Sequence, residues 1–179
     1  MANPWHDVDT GKQTPNIVNA IVEVPKASTL KYELDKETGL MKLDRVLYSA
    51  VHYPGDYGFI PRTYWEDGDP LDVIILSNFP VYPGTIVSVR PIGVIHLVDT
   101  KENDDKIIAV HATDPRFERY NDINDIPEHT IRELKHFFET YKALQKKKVS
   151  VLSIKNASTA KNAILRGIEK YKKEFSNTK

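Results

Sequence analysis

The chain contains no cysteine, and that absence removes disulfide scaffolds, zinc–thiolate sites, iron–sulfur clusters and cysteine nucleophiles together. It also fits a reducing compartment. Long hydrophobic runs are missing too. The longest strongly aliphatic stretch is Val73-Ile74-Ile75-Leu76, far short of the roughly 20 residues that cross a bilayer. The N-terminus, Met1-Ala2-Asn3-Pro4-Trp5-His6-Asp7, lacks the charged start and apolar core of a secretory signal. The expectation is a soluble, cytoplasmic protein with no membrane partner. Net charge is absent as well: 25 Lys and Arg face 25 Asp and Glu, so a main role in gripping nucleic acid or an anionic surface is not expected. There is no G-x-x-x-x-G-K-[ST] loop, no G-x-S-x-G elbow and no H-E-x-x-H helix. The six histidines are scattered and are assigned no role.

What remains is a chain of 179 residues, 40% apolar and 28% charged, enough for one domain with a real core spanning 1–179. Its zero charge hides an asymmetry. From Arg132 to Lys179 there are 13 basic and 4 acidic residues, a balance of +9, and the first 129 residues carry the opposite. A solvated basic helix face is expected for the C-terminal part, ahead of a polyanion-binding tail. Residues 1–16, with Pro4 and Pro15, suggest an extended lead-in. Ile17 to Val24 is β-branched enough for a strand, and Leu30 to Leu34 alternates so that Lys31 and Glu33 share one face. Lys36-Glu37-Thr38-Gly39 then forms a hairpin loop, with Leu40 to Val46 as the partner strand. Leu71–Leu76, Thr85–Val98, Lys106–Ala112 and Val149–Ile154 are further strands, the second either split or bent near Pro91 and Gly93. Asp125-Ile126-Pro127 predicts a helix start, followed by a stripe of Ile131, Leu134, Phe138, Tyr141 and Leu144. Ser158 is the expected cap of a last helix bearing Ala160, Ile164, Gly167, Ile168, Tyr171 and Phe175 on one side. Short strands followed by helices imply an α+β, mainly β architecture, with a five-stranded closed barrel as its most economical form.

The densest chemistry is Glu66-Asp67-Gly68-Asp69-Pro70-Leu71-Asp72. Three aspartates in six residues repel one another, and the Gly and Pro let the chain fold tightly enough to aim them at a hard divalent cation. An ordinary solvated acidic turn would look similar, while an EF-hand is excluded by Leu71 and Asp72. A second acidic loop runs from Asp99 to Lys106 and includes Asp104. Cations and phenols complete the set: Lys31, Arg45 on the next strand, Tyr53 and Tyr57 in a Gly/Pro-punctuated loop, and Tyr141 beside Lys142. Each tyrosine also suits plain core packing, but one hydroxyl in the 53–59 loop is expected to find a polar partner. Hard oxygen ligands in excess, no soft ligands, and several Lys and Arg equip a site for a phosphate ester or anhydride carrying Mg²⁺.

Asp67-Gly68-Asp69-Pro70-Leu71-Asp72-Val73 resembles the D-x-D-P-x-D-V motif of the family I inorganic pyrophosphatases. Glu23-Val24-Pro25, Lys31-Tyr32-Glu33, Asp44-Arg45, Tyr53-Pro54 with Tyr57-Gly58, Arg90-Pro91-Ile92-Gly93-Val94 and His136-Phe137-Phe138-Glu139-Thr140-Tyr141-Lys142 resemble family segments in the same order. The resemblance extends over roughly 15–175. It implies an oligonucleotide-binding-like five-stranded barrel flanked by helices, hydrolysing pyrophosphate with several Mg²⁺ ions. It implies Asp67, Asp72 and Asp104 as ligands of tightly held cations, Asp72 bridging two of them, and Asp99 and Glu33 as ligands of cations arriving with substrate. Asp69 matches the general base. Lys31, Arg45, Tyr57, Lys106, Tyr141 and Lys142 match phosphate-holding positions, with Glu23 and Tyr53 lining the cavity. Thr100 stands where some family members carry a second acid. The length resembles the short microbial form, which implies a homohexamer. The competing expectations are a Mg²⁺-dependent phosphohydrolase acting on nucleotides or phosphomonoesters, and a barrel that binds single-stranded nucleic acid.

Overall fold

A computed structural model describes residues 3–99 and 102–175 of the chain; Thr100 lies outside them. The first element is not an extended lead-in but a one-turn helix, α1 (Pro4–Asp7). Pro4 opens its first turn and the Asn3 side chain accepts the Trp5 N–H at 3.0 Å. Strands β1 (Val18–Val24), β2 (Leu30–Leu34), β3 (Met41–Val46), β4 (Asp56–Phe59), β5 (Asp72–Leu76), β6 (Ile86–Asp99), β7 (Glu102–Asn103) and β8 (Lys106–His111) follow. Then come α2 (Glu128–Thr140), β9 (Val149–Asn156) and α3 (Ala157–Phe175).

Five strands close on themselves. β1 pairs antiparallel with β4, β4 with β5, β5 parallel with β8, β8 antiparallel with β6, and β6 returns to β1. This is the five-stranded ring expected from the sequence, with no free edge among its members. β6 is one bent strand, its register shifting between Pro91 and Gly93 and again between His96 and Leu97. Its far half carries β7 and β9. β2 and β3 form a separate hairpin.

β4 was not anticipated, because Pro and Gly punctuate a segment that suggests a loop. All four of its residues are buried, and Gly58 explains the tolerance: a Cβ there would stand 1.8 Å from the Ile21 carbonyl oxygen on β1. The helix starts also differ from expectation. Asp125 does not cap α2; it ends a 3-10 turn, Ile123–Asp125, closed by a capping box with Asp122, and α2 begins after Pro127 with no side-chain cap. At the start of α3 the Asn156 carboxamide, not Ser158, accepts the Thr159 N–H at 3.1 Å. α2 stops at Thr140, so Leu144 leaves the apolar stripe and is 65% exposed.

The two long helices cover different ends of the core. Leu134, Phe137, Phe138 and Tyr141 of α2 and its C-cap pack with Ile74, Leu97 and Ile108, whereas Ala160, Ala163 and Ile164 of α3 pack with Val18, Ile60, Trp65 and Leu71. Trp5 joins Ile21, Leu34 and Phe59 in a third cluster under the hairpin. Among the described residues no helix is long and apolar enough to cross a membrane.

Candidate active site

Strand ends bring the charged residues together at one mouth of the ring. β5 and β8 run parallel and each starts with a charge: Asp72 and Lys106 are register partners. The Lys106 ammonium lies 2.6 Å from Asp72 Oδ2 and 2.6 Å from Asp104 Oδ1, with its side chain only 3% exposed. Burial alone would lower its pKa, but Asp72 and Asp104 hold the charge and raise it well above the ordinary lysine value. Tyr57, on β4, donates its hydroxyl to the same Asp72 Oδ2 at 2.5 Å. This is the polar partner expected for one tyrosine of that segment. Burial first, then Asp72, push the Tyr57 pKa up, so the phenol stays a donor.

The turn before β5 supplies the next two carboxylates. Gly68, at φ +83°, reverses the chain; the Trp65 N–H donates to the Asp69 carbonyl at 2.8 Å, and the Asp69 N–H to Asp67 Oδ1 at 3.1 Å. Asp67 therefore faces inward, and burial together with Asp72 raises its pKa to about 6. On β1, Glu23 accepts the Leu34 N–H at 2.8 Å, and burial followed by Asp72 pushes its pKa to about 8.

The hairpin and the end of α2 close the remaining sides. Lys31 pairs with Glu33 on the shared face of β2. Lys142, just past α2, pairs with Asp99 at the end of β6; its pKa is lowered, chiefly by burial, against the pull of Asp99. Tyr141, the α2 C-cap, stacks on Phe137 at 5.2 Å between centroids, and Tyr53 lies 5.4 Å from Tyr57. The cavity these elements form, open at its mouth, has a volume of about 240 Å³. Seven carboxylates line it, from Glu23, Glu33, Asp67, Asp69, Asp72, Asp99 and Asp104, together with the ammonium groups of Lys31, Lys36, Lys106 and Lys142. Tyr53, Tyr57 and Tyr141 line it too.

The structure thus gathers every site residue expected from the sequence except Arg45, which is not part of the cavity lining. Arg45 sits opposite Lys31 on β3, with Nε 3.1 Å from Asp44 Oδ2 in a geometry too bent for a hydrogen bond. Two lining residues were not legible in advance. Lys36 looked like hairpin loop, yet its ammonium pairs with Asp69 and lies 5.3 Å from the centroid of the Trp5 ring. Trp5 belonged to the polar lead-in, where a lone large aromatic was the available signal that something there is buried.

Whether divalent cations suit this cavity is decided by its donors. All are hard oxygens and they outnumber the ammonium groups, and burial, followed by the neighbouring Asp72 charge, raises both Asp67 and Glu23. The donor set fits Mg²⁺-like ions. Among the described residues no three carboxylates or imidazoles already converge into a cation cage, because lysines stand between them.

A small closed barrel with this mouth defines a class of protein: one that handles a compact polyanion with hard cations. The sequence model of the inorganic pyrophosphatase family matches residues 20–172. The chain is 49% identical over 170 residues to a soluble inorganic pyrophosphatase of Zea mays, covering 95% of this chain and 79% of that one. It is 45% identical to soluble inorganic pyrophosphatase 2 of Chlamydomonas reinhardtii, covering 97% and 91%. The crystal structure of the Thermus thermophilus inorganic pyrophosphatase superposes with a TM-score of 0.93 at 45% identity, over 96% of this chain and 99% of that one. The chain belongs to the inorganic pyrophosphatase family.

Proposed function

We propose that this chain hydrolyses inorganic pyrophosphate to two phosphates with the help of several divalent cations, Mg²⁺ foremost, and that Asp69 is the general base. The observation that carries this reading is the meeting of seven carboxylates and four lysines around about 240 Å³. That volume suits a small, fully charged anion and leaves little room for a nucleoside.

The chain's own groups divide the work. Lys31, Lys106, Lys142, Tyr57 and Tyr141 hold phosphoryl oxygens, with Arg45 adding positive potential from behind Lys31 on the paired strand. Asp69, half exposed at the mouth, accepts a proton from water as the water oxygen bonds to one phosphorus. The bond from that phosphorus to the bridging oxygen breaks, and the leaving phosphate takes the electron pair. Asp67, Asp72 and Asp104 would hold the tightly bound cations, and Asp99 and Glu33 those that arrive with substrate. When bound, such ions neutralise phosphate charge and acidify water, whose pKa falls from about 15.7 to about 7 on zinc in a favourable site. Glu23 and Tyr53 line the wall.

The test is phosphate release from pyrophosphate with Mg²⁺ and with EDTA, beside ATP and a phosphomonoester. Turnover of pyrophosphate that needs the metal and exceeds the other two substrates is expected. Preference for ATP or the monoester would replace this reading with a broader phosphohydrolase. The assembly and location we propose, a homohexamer in the cytoplasm, rest on family likeness, and light scattering on the purified protein decides the first.

A further inference from the structure

Lys36 is placed by contacts that have no part in folding the hairpin. Its carbonyl oxygen accepts the Asn3 side-chain N–H at 3.0 Å, and its ammonium lies over the Trp5 ring, 5.3 Å from the centroid, while pairing with Asp69. Trp5 is itself fixed. Its indole N–H donates to the Thr63 carbonyl at 2.8 Å, and His6 stacks on it at 4.6 Å. His6 Nδ1 in turn lies 2.7 Å from the Tyr171 hydroxyl on α3. The N-terminal turn is therefore pinned to the far helix and holds one lysine at the cavity mouth.

That lysine differs from its neighbours in exposure. The side chains of Lys31, Lys106 and Lys142 are 16%, 3% and 12% exposed, each paired with a carboxylate, whereas Lys36 is 49% exposed on a flexible stem. A cation over an aromatic face and beside a half-exposed carboxylate keeps its charge but is not locked in place. We propose that Lys36 is a further substrate-binding residue, whose ammonium takes the outer phosphoryl oxygens of the entering anion, with Trp5 as the positioning residue that holds it over the mouth. In moving from Asp69 to the anion, Lys36 would also leave the Asp69 oxygen open to water. The inference rests on the pyrophosphatase reading of the same cavity.

The experiment measures pyrophosphate turnover at saturating Mg²⁺ for Lys36→Gln, Lys36→Arg, Trp5→Leu and the Lys36→Gln/Trp5→Leu pair, at low and moderate salt. Lys36→Gln is expected to raise KM roughly three- to tenfold with a smaller change in kcat, the scale of one partly screened charge-assisted contact. It should also weaken the salt dependence of kcat/KM. Lys36→Arg should restore both. Trp5→Leu should raise KM less, and the pair should be no worse than Lys36→Gln alone. Unchanged KM and salt dependence in Lys36→Gln, no rescue by Arg, or a Trp5 effect that adds in full to the Lys36 effect would each overturn the inference. Loss of pyrophosphate turnover in the unaltered protein would overturn the functional reading and this inference with it; normal turnover with an unchanged Lys36→Gln overturns this inference alone.

Discussion

Asp69 and Asp72 are three residues apart yet face different problems. Asp72 is tied to Lys106 and Tyr57, while Asp69 is half exposed and pairs with the half-exposed Lys36. The general-base role proposed for Asp69 calls for such freedom. Asp69→Asn is expected to lower kcat by about 10²-fold or more, the lower range for losing a general base, with thermal melting little changed; steady-state kinetics beside a melt checks both. Glu23 makes the opposite prediction, about stability. Its folded pKa of about 8 lies above the ordinary value of 4.5. Between those values the folded chain keeps a proton that the unfolded chain releases. The stability it contributes is thus complete below about pH 4.5 and is lost as pH rises through about 8. Gln at this position has no proton to lose. In EDTA, Glu23→Gln is expected to melt close to the unaltered protein near pH 5 and to exceed it at pH 8 by on the order of 4 kcal/mol.

Strands and helices differ in how openly the chain announces them. The β2–β3 hairpin was legible because its alternation is clean, and Lys31 and Glu33 do share a face and a salt bridge. The aspartate turn was legible as a place where like charges crowd beside Gly and Pro, and its likeness to the family motif, rather than the crowding itself, set it apart from a solvated acidic turn. β4 was hidden by its own glycine, which suggests a turn locally but serves a close approach to β1 that only the ring creates. Caps failed for a similar reason: Asp125 and Ser158 have suitable side chains, yet Asp125 closes the 3-10 turn that Asp122 opens, leaving α2 without a side-chain cap, and Asn156 holds the capping geometry at α3. Lys36 and Trp5 escaped because their meeting joins distant segments. Gly58→Ala tests the close approach. With backbone 1.8 Å from the added carbon, β1 and β4 must separate, and a loss of about 3 kcal/mol or more in urea unfolding is expected.

Over the whole molecule, charge is sorted before it is balanced. The acidic excess of the first 129 residues feeds the cavity, while the last 48 carry +9, mostly on or around α2 and α3. Zero net charge therefore coexists with a strongly anionic pocket, and a cation entering it relieves repulsion present in the folded chain alone. Mg²⁺ is expected to raise the Tm, with stabilisation of about 2.7 kcal/mol when its concentration is a hundred times Kd; calorimetry with and without EDTA measures it. The chain has two tryptophans, and one of them stands at this pocket. Trp5 lines it, and Trp65 precedes the aspartate turn, with the Arg166 guanidinium 4.3 Å from its ring centroid. Intrinsic fluorescence then becomes a built-in optical gauge: ion or substrate entry should change the Trp5 emission of the untouched protein, with no dye attached, while Trp65 in the core under α3 supplies a steady reference.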